Sequence, residues 1–304
     1  MPARFWELTI PAPPETREAL TNFLWELGAL GVVEEEMRGI PSPASGAPEQ
    51  LRAFFPGSAS PGGLERATRD YCSALSALGF EMTAVEPAVA PLEEAAWDES
   101  WRQSFTPIRV GRRLLVAPPW DIPFQSEGRR VVVIEPGRAF GTGAHGSTQG
   151  CLVLLESLLE REPATHALDL GTGTGILAIA ALKLGVPRLT ALDTDADAIA
   201  AAISNAERNG LSARLRCLMA GPESLDGEQY PIILANLLAE SHVAGAASYR
   251  RLLMPGGALI LGGILADEED EVAGAMANQA LERKGRVEID GWVSLVMGGM
   301  SARR

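Results

Sequence analysis

A chain of 304 residues is long enough for two domains and a sizeable buried core. Its 46% hydrophobic content and mean hydropathy of +0.07 are those of a water-soluble globular protein with no apolar run able to span a bilayer. A net charge of −13 repels a phosphate backbone, which argues against nucleic acid as the direct substrate. Cys72, Cys151 and Cys217 form no Cys-x-x-Cys pair, and His145, His166 and His242 show no metal-ligand spacing, so neither a disulfide framework nor a metal site is expected. The opening residues lack a basic segment followed by an apolar one, and a cytoplasmic, monomeric protein with no membrane partner is expected.

Residues 4–10 alternate as a strand, and after a proline-rich turn Ala19, Leu20, Phe23, Leu24 and Leu27 recur at helical spacing up to Gly28. Strands are predicted at 31–36 and 51–55, a helix at 64–78 and a fourth strand at 80–85, with the proline-rich stretch 40–48 as a loop. This β-α-β-β-α-β order predicts a ferredoxin-like α+β domain over 1–90. A linker helix over 91–106 would put Trp97 and Trp101 on one face, packed at a domain junction. Short strands at 108–110, 114–117 and 131–134 predict a β platform ahead of the main body of a second domain, 107–304.

From about Cys151 helices and strands alternate: helix 151–159, strand 167–170, helix 176–184, strand 189–192, helix 196–208, strand 213–218 and strand 232–235. A helix at 240–253, a Pro255-Gly256-Gly257 turn, a strand at 258–261 and a helix at 268–281 follow. The chain closes with a hairpin about Asp290-Gly291. The alternation predicts a Rossmann-like α/β domain, a parallel sheet covered on both faces, with a ligand at the carboxyl ends of its strands.

The stretch Leu168-Asp169-Leu170-Gly171-Thr172-Gly173-Thr174-Gly175 reads as a strand feeding a helix through a glycine turn, which brings bare backbone close to a ligand. Its Gly-x-Gly-x-Gly spacing, with Gly171, Gly173 and Gly175, differs from the Gly-x-Gly-x-x-Gly that seats a pyrophosphate. The acid two residues earlier, Asp169, would repel a pyrophosphate and suits a ligand carrying an amino or sulfonium cation. Asp193, twenty-two residues beyond Gly171, ends the next strand where a ribose-binding acid belongs. The pattern resembles the first motif of methyltransferases that use S-adenosylmethionine (SAM).

Two other stretches point into the same crevice. Residues 135–148 surround His145 with four glycines and with Thr142, Ser147 and Thr148, a flexible polar loop suited to folding over a cofactor, alternatively an ordinary glycine-rich linker. Asn236, ahead of Leu237 and Leu238 at the end of the apparent fourth strand, can present its carbonyl to an incoming amine, hydrogen-bond a cofactor, or simply cap the next helix. Leu237-Leu238 stands where methyltransferases of exocyclic base amines carry Pro-Pro and an aromatic, which disfavours a nucleobase substrate.

Taken together, Glu135-Pro136-Gly137-Arg138-Ala139-Phe140-Gly141-Thr142-Gly143-Ala144-His145, the glycine turn with Ile176-Leu177-Ala178-Ile179-Ala180, Asn205-Ala206-Glu207-Arg208-Asn209-Gly210 and Ala235-Asn236-Leu237 resemble the bacterial methyltransferases of ribosomal protein L11, the PrmA family. The resemblance implies SAM as cofactor and the N-terminal module as the part that recognises a basic ribosomal protein. It further implies methylation of that protein at lysine side chains and the α-amine. It places the cofactor at Thr148, Gly171, Asp193 and Asn236, with Phe140, Gly141, Thr142, Gly143 and His145 nearby. Two positions depart from the family pattern, Ser147-Thr148 for Thr-Thr and Asp193-Thr194-Asp195-Ala196 for Asp-Ile-Asp-Pro, and both keep the hydrogen-bonding group.

In the expected reaction a neutral amine attacks the methyl group directly, oriented by Asn236 and the backbone carbonyl of Leu237, with His145 as a second catalytic candidate. A methyltransferase of another protein lysine or of a small amine, and a SAM-binding regulatory module, are the alternative readings.

Overall fold

The computed structural model describes residues 5–29, 31–36, 49–80, 82, 86–92, 105–137 and 139–299, in two compact units, Met1–Thr106 and Pro107–Arg304. The predicted helix carrying Trp97 and Trp101, and the loop 40–48, lie outside the described residues. Among the described residues no helix is long and apolar enough to cross a membrane.

The first unit runs β1 (Phe5–Ala12), α1 (Arg17–Glu26), β2 (Gly31–Glu36), β3 (Glu49–Pro56), α2 (Pro61–Ala77) and β4 (Ala88–Leu92). Its sheet has the order β2-β3-β1-β4 with every neighbouring pair antiparallel, the layout of a ferredoxin-like arrangement. Leu8, Ile10 and Ala12 alternate inward along β1, and they meet Leu20 and Leu24 of α1 and Leu64, Cys72 and Leu75 of α2. Phe23 stacks on Tyr71 at 4.1 Å between ring centroids, and the Tyr71 hydroxyl donates to the Ala19 carbonyl at 3.3 Å, which joins the two helices. Of the predicted fourth strand, 80–85, only Phe80 and Met82 are among the described residues. Gly79 at φ +99° and a bond from Met82 N to the Phe80 carbonyl turn the chain first, and the strand forms later, where residues 88–92 can pair with Phe5–Thr9.

The second unit opens with a small sheet of β5 (Ile108–Val110), β6 (Leu114–Ala117) and β7 (Arg130–Val133). Its β5–β6 turn closes on buried Glu156, whose carboxylate accepts from the backbone N–H groups of Arg112 and Arg113. The elements that follow are α3 (Gly146–Arg161), β8 (Ala167–Leu170), α4 (Ile176–Leu184), β9 (Leu189–Asp193), α5 (Ala196–Arg208), β10 (Leu215–Met219), β11 (Tyr230–Asn236), α6 (Ala239–Leu252), β12 (Leu253–Leu265), α7 (Glu269–Ala277), β13 (Leu281–Ile289) and β14 (Trp292–Gly299).

The main sheet has the order β10-β9-β8-β11-β12-β14-β13; the first five strands run parallel and β14 lies antiparallel to both of its neighbours. Strand order reverses between β8 and β11, so the crevice at their carboxyl ends is the expected ligand position. Helix α4 is apolar nearly all round because it packs on β8 and β9 and also on β7 of the small sheet. The Pro255-Gly256-Gly257 segment bulges out between Leu253, paired with Tyr230, and Ala258, paired with Ile232. Asp290 at φ +52° and Gly291 at φ +80° make the two-residue turn of the closing hairpin. Helix α3 starts at Gly146, five residues before the predicted start, with His145 as its N-cap, so Ser147 and Thr148 are helical rather than loop.

Candidate active site

Strand β8 ends at Leu170 and the chain turns through Gly171 at φ +68° and Gly173 at φ +53°, a backbone region that side-chain-bearing residues rarely adopt. Space forbids a side chain there as well. A Cβ on Gly171 would fall on the Leu237 side chain, and one on Gly173 would fall on the Phe140 carbonyl. The turn is held by Gly171 N and Thr172 N donating to the Leu192 carbonyl at 2.9 and 3.0 Å, which ties it to the end of β9. Gly175 N donates to the Thr172 carbonyl at 2.8 Å, and Gly175, at φ +82°, caps α4.

Two carboxylates flank the turn. Asp193 Oδ2 accepts from Gly173 N at 2.9 Å and its Oδ1 accepts from Asp195 N at 3.0 Å, so the side chain is oriented while a carboxylate keeps lone pairs for further donors. Asp169 is buried and accepts from the Thr172 hydroxyl at 2.6 Å. Burial pushes its carboxyl up to about 7; the bonds from Thr172 and the Ala178 backbone pull it down, and the Asp193 charge raises it further.

The segment 139–145 is bonded down onto this turn instead of standing free as the composition suggested. Thr174 N donates to the Phe140 carbonyl at 3.0 Å, and the Thr174 hydroxyl donates to the Gly141 carbonyl at 2.6 Å. Gly143 is buried, and a Cβ on it would stand 2.9 Å from Val116 Cγ1 of β6. Thr142 is half-buried between them. Phe140 leaves its ring 58% exposed. His145 Nδ1 lies 2.8 Å from Ser147 Oγ and accepts from Ser147 N at 3.4 Å. Its ring sits 4.6 Å from the Trp292 centroid and 5.5 Å from that of Phe140, and burial lowers its pKa against the opposing charge of Asp290.

On the far side of the turn, β11 ends at Asn236, whose Nδ2 donates to the Thr148 hydroxyl at 3.3 Å. Its Oδ1 is buried and has no hydrogen-bond partner among the described residues, an exception that calls for a donor from outside the chain. The Leu237 side chain fills the open side of Gly171, and its backbone carbonyl lies over Gly263, where a Cβ would collide with it.

The predicted residues therefore gather about β8, β9 and β11: Gly173 meets Asp193 and Phe140, Gly171 meets Leu237, and Thr148 meets Asn236. Four residues given no role from sequence also shape the site. Thr174 carries the 139–145 segment. Buried Asn205 donates to the Thr174 carbonyl at 2.9 Å and accepts from Glu135 N at 3.0 Å. One turn later, Asn209 exchanges both bonds with the Val133 backbone, at 3.0 and 2.7 Å. The Asn-x-x-x-Asn spacing of α5 is the signal for that clamp, since it puts two amides on one helical face. Trp292, which walls His145, belongs to the closing hairpin and carries no local signal.

The residues present offer a ligand with hydrogen-bond donors a glycine turn, an oriented acid at the next strand, and an acceptor lacking a donor. The family model of ribosomal protein L11 methyltransferase (PrmA) matches residues 4–299. A ribosomal protein L11 methyltransferase of Trichlorobacter lovleyi is 39% identical over 277 residues, covering 88% of this chain and 90% of that protein. One of Pelobacter propionicus is 33% identical over 303 residues, covering 97% and 98%. The crystal structure of ribosomal protein L11 methylase from Lactobacillus delbrueckii subsp. bulgaricus superposes with a TM-score of 0.60 at 26% identity, covering 65% of this chain and all of that one.

Proposed function

The chain belongs to the ribosomal protein L11 methyltransferase family, and from that membership we propose that it transfers methyl groups from SAM to amine nitrogens of ribosomal protein L11, at lysine side chains and the N-terminal amine. The observation that carries this reading is the unpartnered, buried Oδ1 of Asn236 on the strand next to the glycine turn. An acceptor there matches an amine N–H.

When bound, SAM supplies an electrophilic methyl group on a positively charged sulfur. The glycine turn and Asp193 would hold the cofactor, with the Asp193 carboxylate as the acceptor for its ribose hydroxyls. Asp169 lies behind the turn, its carboxyl suited to a cationic ligand. The 139–145 segment, with Phe140, Gly141, Thr142 and Gly143, covers the site and excludes water, and Thr148 fixes the Asn236 amide from the base of α3.

A lysine ammonium, with an ordinary pKa of about 10.4, must lose its proton to attack. Desolvation in a closed site favours the neutral amine, and the proton leaves to solvent before the substrate is enclosed. Asn236 Oδ1 and the Leu237 carbonyl then accept the amine N–H groups and aim the nitrogen lone pair, so rate acceleration comes from alignment rather than from a strong base. His145, with Nδ1 engaged by Ser147, serves as a wall of the site and an anchor of α3.

The N-terminal unit takes the role of recognising the basic substrate protein. The test is incubation with methyl-labelled SAM and purified L11, followed by mass spectrometry of the product. Absence of label on any amine of L11 would sink the proposal. A chain shortened to residues 107–304 should lose turnover on L11, whereas an enzyme for small amines would keep its turnover.

A further inference from the structure

Behind the proposed amine site stands a buried pair of titratable groups that the transfer itself does not use. His242 is fully buried in the first turn of α6, and Tyr249, also buried, lies seven residues further along the same helix. The tyrosine ring reaches back across Gly245, where a Cβ would sit 3.1 Å from its Cζ, and its hydroxyl stands 3.1 Å from His242 Nδ1. The other nitrogen, Nε2, stands 2.8 Å from the Gly262 carbonyl.

Those contacts assign the protons. A carbonyl only accepts, so Nε2 carries hydrogen. Burial lowers the pKa of the ring, with the carbonyls of Gly262 and Leu237 pulling the other way, so the imidazole is neutral and Nδ1 is bare. The Tyr249 hydroxyl therefore donates to Nδ1, and the tautomer is fixed from both ends. The Gly262 carbonyl accepts a second bond, from Leu237 N at 3.1 Å, and Gly262 is the register partner of Asn236 on the neighbouring strand. A Cβ on Gly262 would come 2.9 Å from Asn236 Oδ1. One ring thus grips the backbone point that the Asn236–Leu237 turn leans on from both its backbone and its side chain.

We propose that His242, oriented by Tyr249, is a positioning residue that holds the Gly262 carbonyl and, through it, sets Asn236 and Leu237 in the geometry that receives the amine. This rests on the reading of Asn236 and Leu237 as the amine site. A purely space-filling role would not require two polar groups, both desolvated, with their bonds directed in series at that carbonyl.

The test compares His242→Phe, His242→Gln and Tyr249→Phe in the full chain, measuring kcat and KM for L11, the dissociation constant for SAM, and the melting temperature. Glutamine can place an amide N–H where Nε2–H stands; phenylalanine cannot. H242F is expected to lower kcat by about tenfold or more, equivalent to one well-placed hydrogen bond, with SAM affinity within about twofold of wild type. H242Q should restore most of kcat, and Y249F should fall between. A folded H242F with wild-type kcat overturns the proposal. So does a loss of kcat that tracks SAM affinity and melting temperature and is not restored by glutamine. If H242F does not fold, Y249F, which lacks a single hydroxyl, decides on the same readout, and an unchanged kcat overturns the proposal. A wild-type chain that labels no amine of L11 would instead defeat the functional reading on which this one rests.

Discussion

The backbone N–H of Gly173 donates to Asp193 Oδ2 at 2.9 Å, so the glycine turn after β8 and the acid that ends β9 are one mechanical unit. Asp193→Ala removes the anchor of the turn and the acceptor assigned to the cofactor's ribose together. Hydrogen bonds to a charged group are worth ~1.5–3 kcal/mol, so SAM affinity should fall by roughly 10- to 100-fold. Titration calorimetry of the variant checks this, and an unchanged dissociation constant would remove the ribose assignment.

Gly173→Ala meets two obstacles, the positive φ of +53° and the Phe140 carbonyl where its Cβ would go. We expect a loss of about 1–3 kcal/mol in stability and a clear weakening of SAM binding, because the 139–145 segment must shift. Gly185→Ala is the control. Its φ is +120° with nothing within 4 Å of an added Cβ, so it should cost stability and leave SAM affinity alone. Equal affinities for the two variants would show that the turn does not touch the cofactor.

Asp169 makes stability depend on pH. Its folded pKa of about 7 lies above the unfolded value of about 4, so the folded state holds the proton more tightly and ionisation costs stability. The cost is absent below about pH 4, grows between about pH 4 and 7, and is complete above that. Asp169→Asn keeps an acceptor for Thr172 and does not ionise. Its melting temperature should therefore gain on wild type as pH rises from 5 to 8. A constant difference across that range, by scanning calorimetry, would contradict the assignment.

Asn205→Ala leaves the part-buried Glu135 N–H and the buried Thr174 carbonyl without their partner. At ~1–3 kcal/mol for each stranded group, a loss of about 2–6 kcal/mol is expected, or roughly 5–20 °C in melting temperature. SAM affinity should fall too, since Thr174 holds Phe140 and Gly141. A shift below about 1 °C would mean that the clamp is dispensable.

Features whose causes are local were legible in the amino-acid sequence. The turn at Gly171 and Gly173 needs positive φ, a local condition that glycine meets most readily. Asp290-Gly291 makes its hairpin for a similar reason. The alternation of strands and helices gave the parallel sheet and a ligand position at the carboxyl ends of its strands, while the strand order that puts the crevice between β8 and β11 came only with the fold.

Other features arise only when distant segments meet. The fourth strand formed at Ala88–Leu92 because its hydrogen-bonding partner is β1, more than seventy residues away in sequence. The start of α3 was concealed by glycines that disfavour a helix. They are there because a Cβ on Gly146 would come 2.5 Å from the Ile289 carbonyl, and one on Gly150 would run into the Ser294 side chain. The 139–145 segment has a composition that suggests flexibility, and hydrogen bonds from Thr174 make it part of the site. His242 reads as an ordinary helical residue until the fold brings Gly262 beside it. Backbone conformation is decided over a few neighbouring residues, so sequence alone determined the glycine turn after β8 and the α/β alternation around it. Hydrogen-bond partners are decided by what lies across the sheet, and only the tertiary structure set those around Asn236 and Leu237.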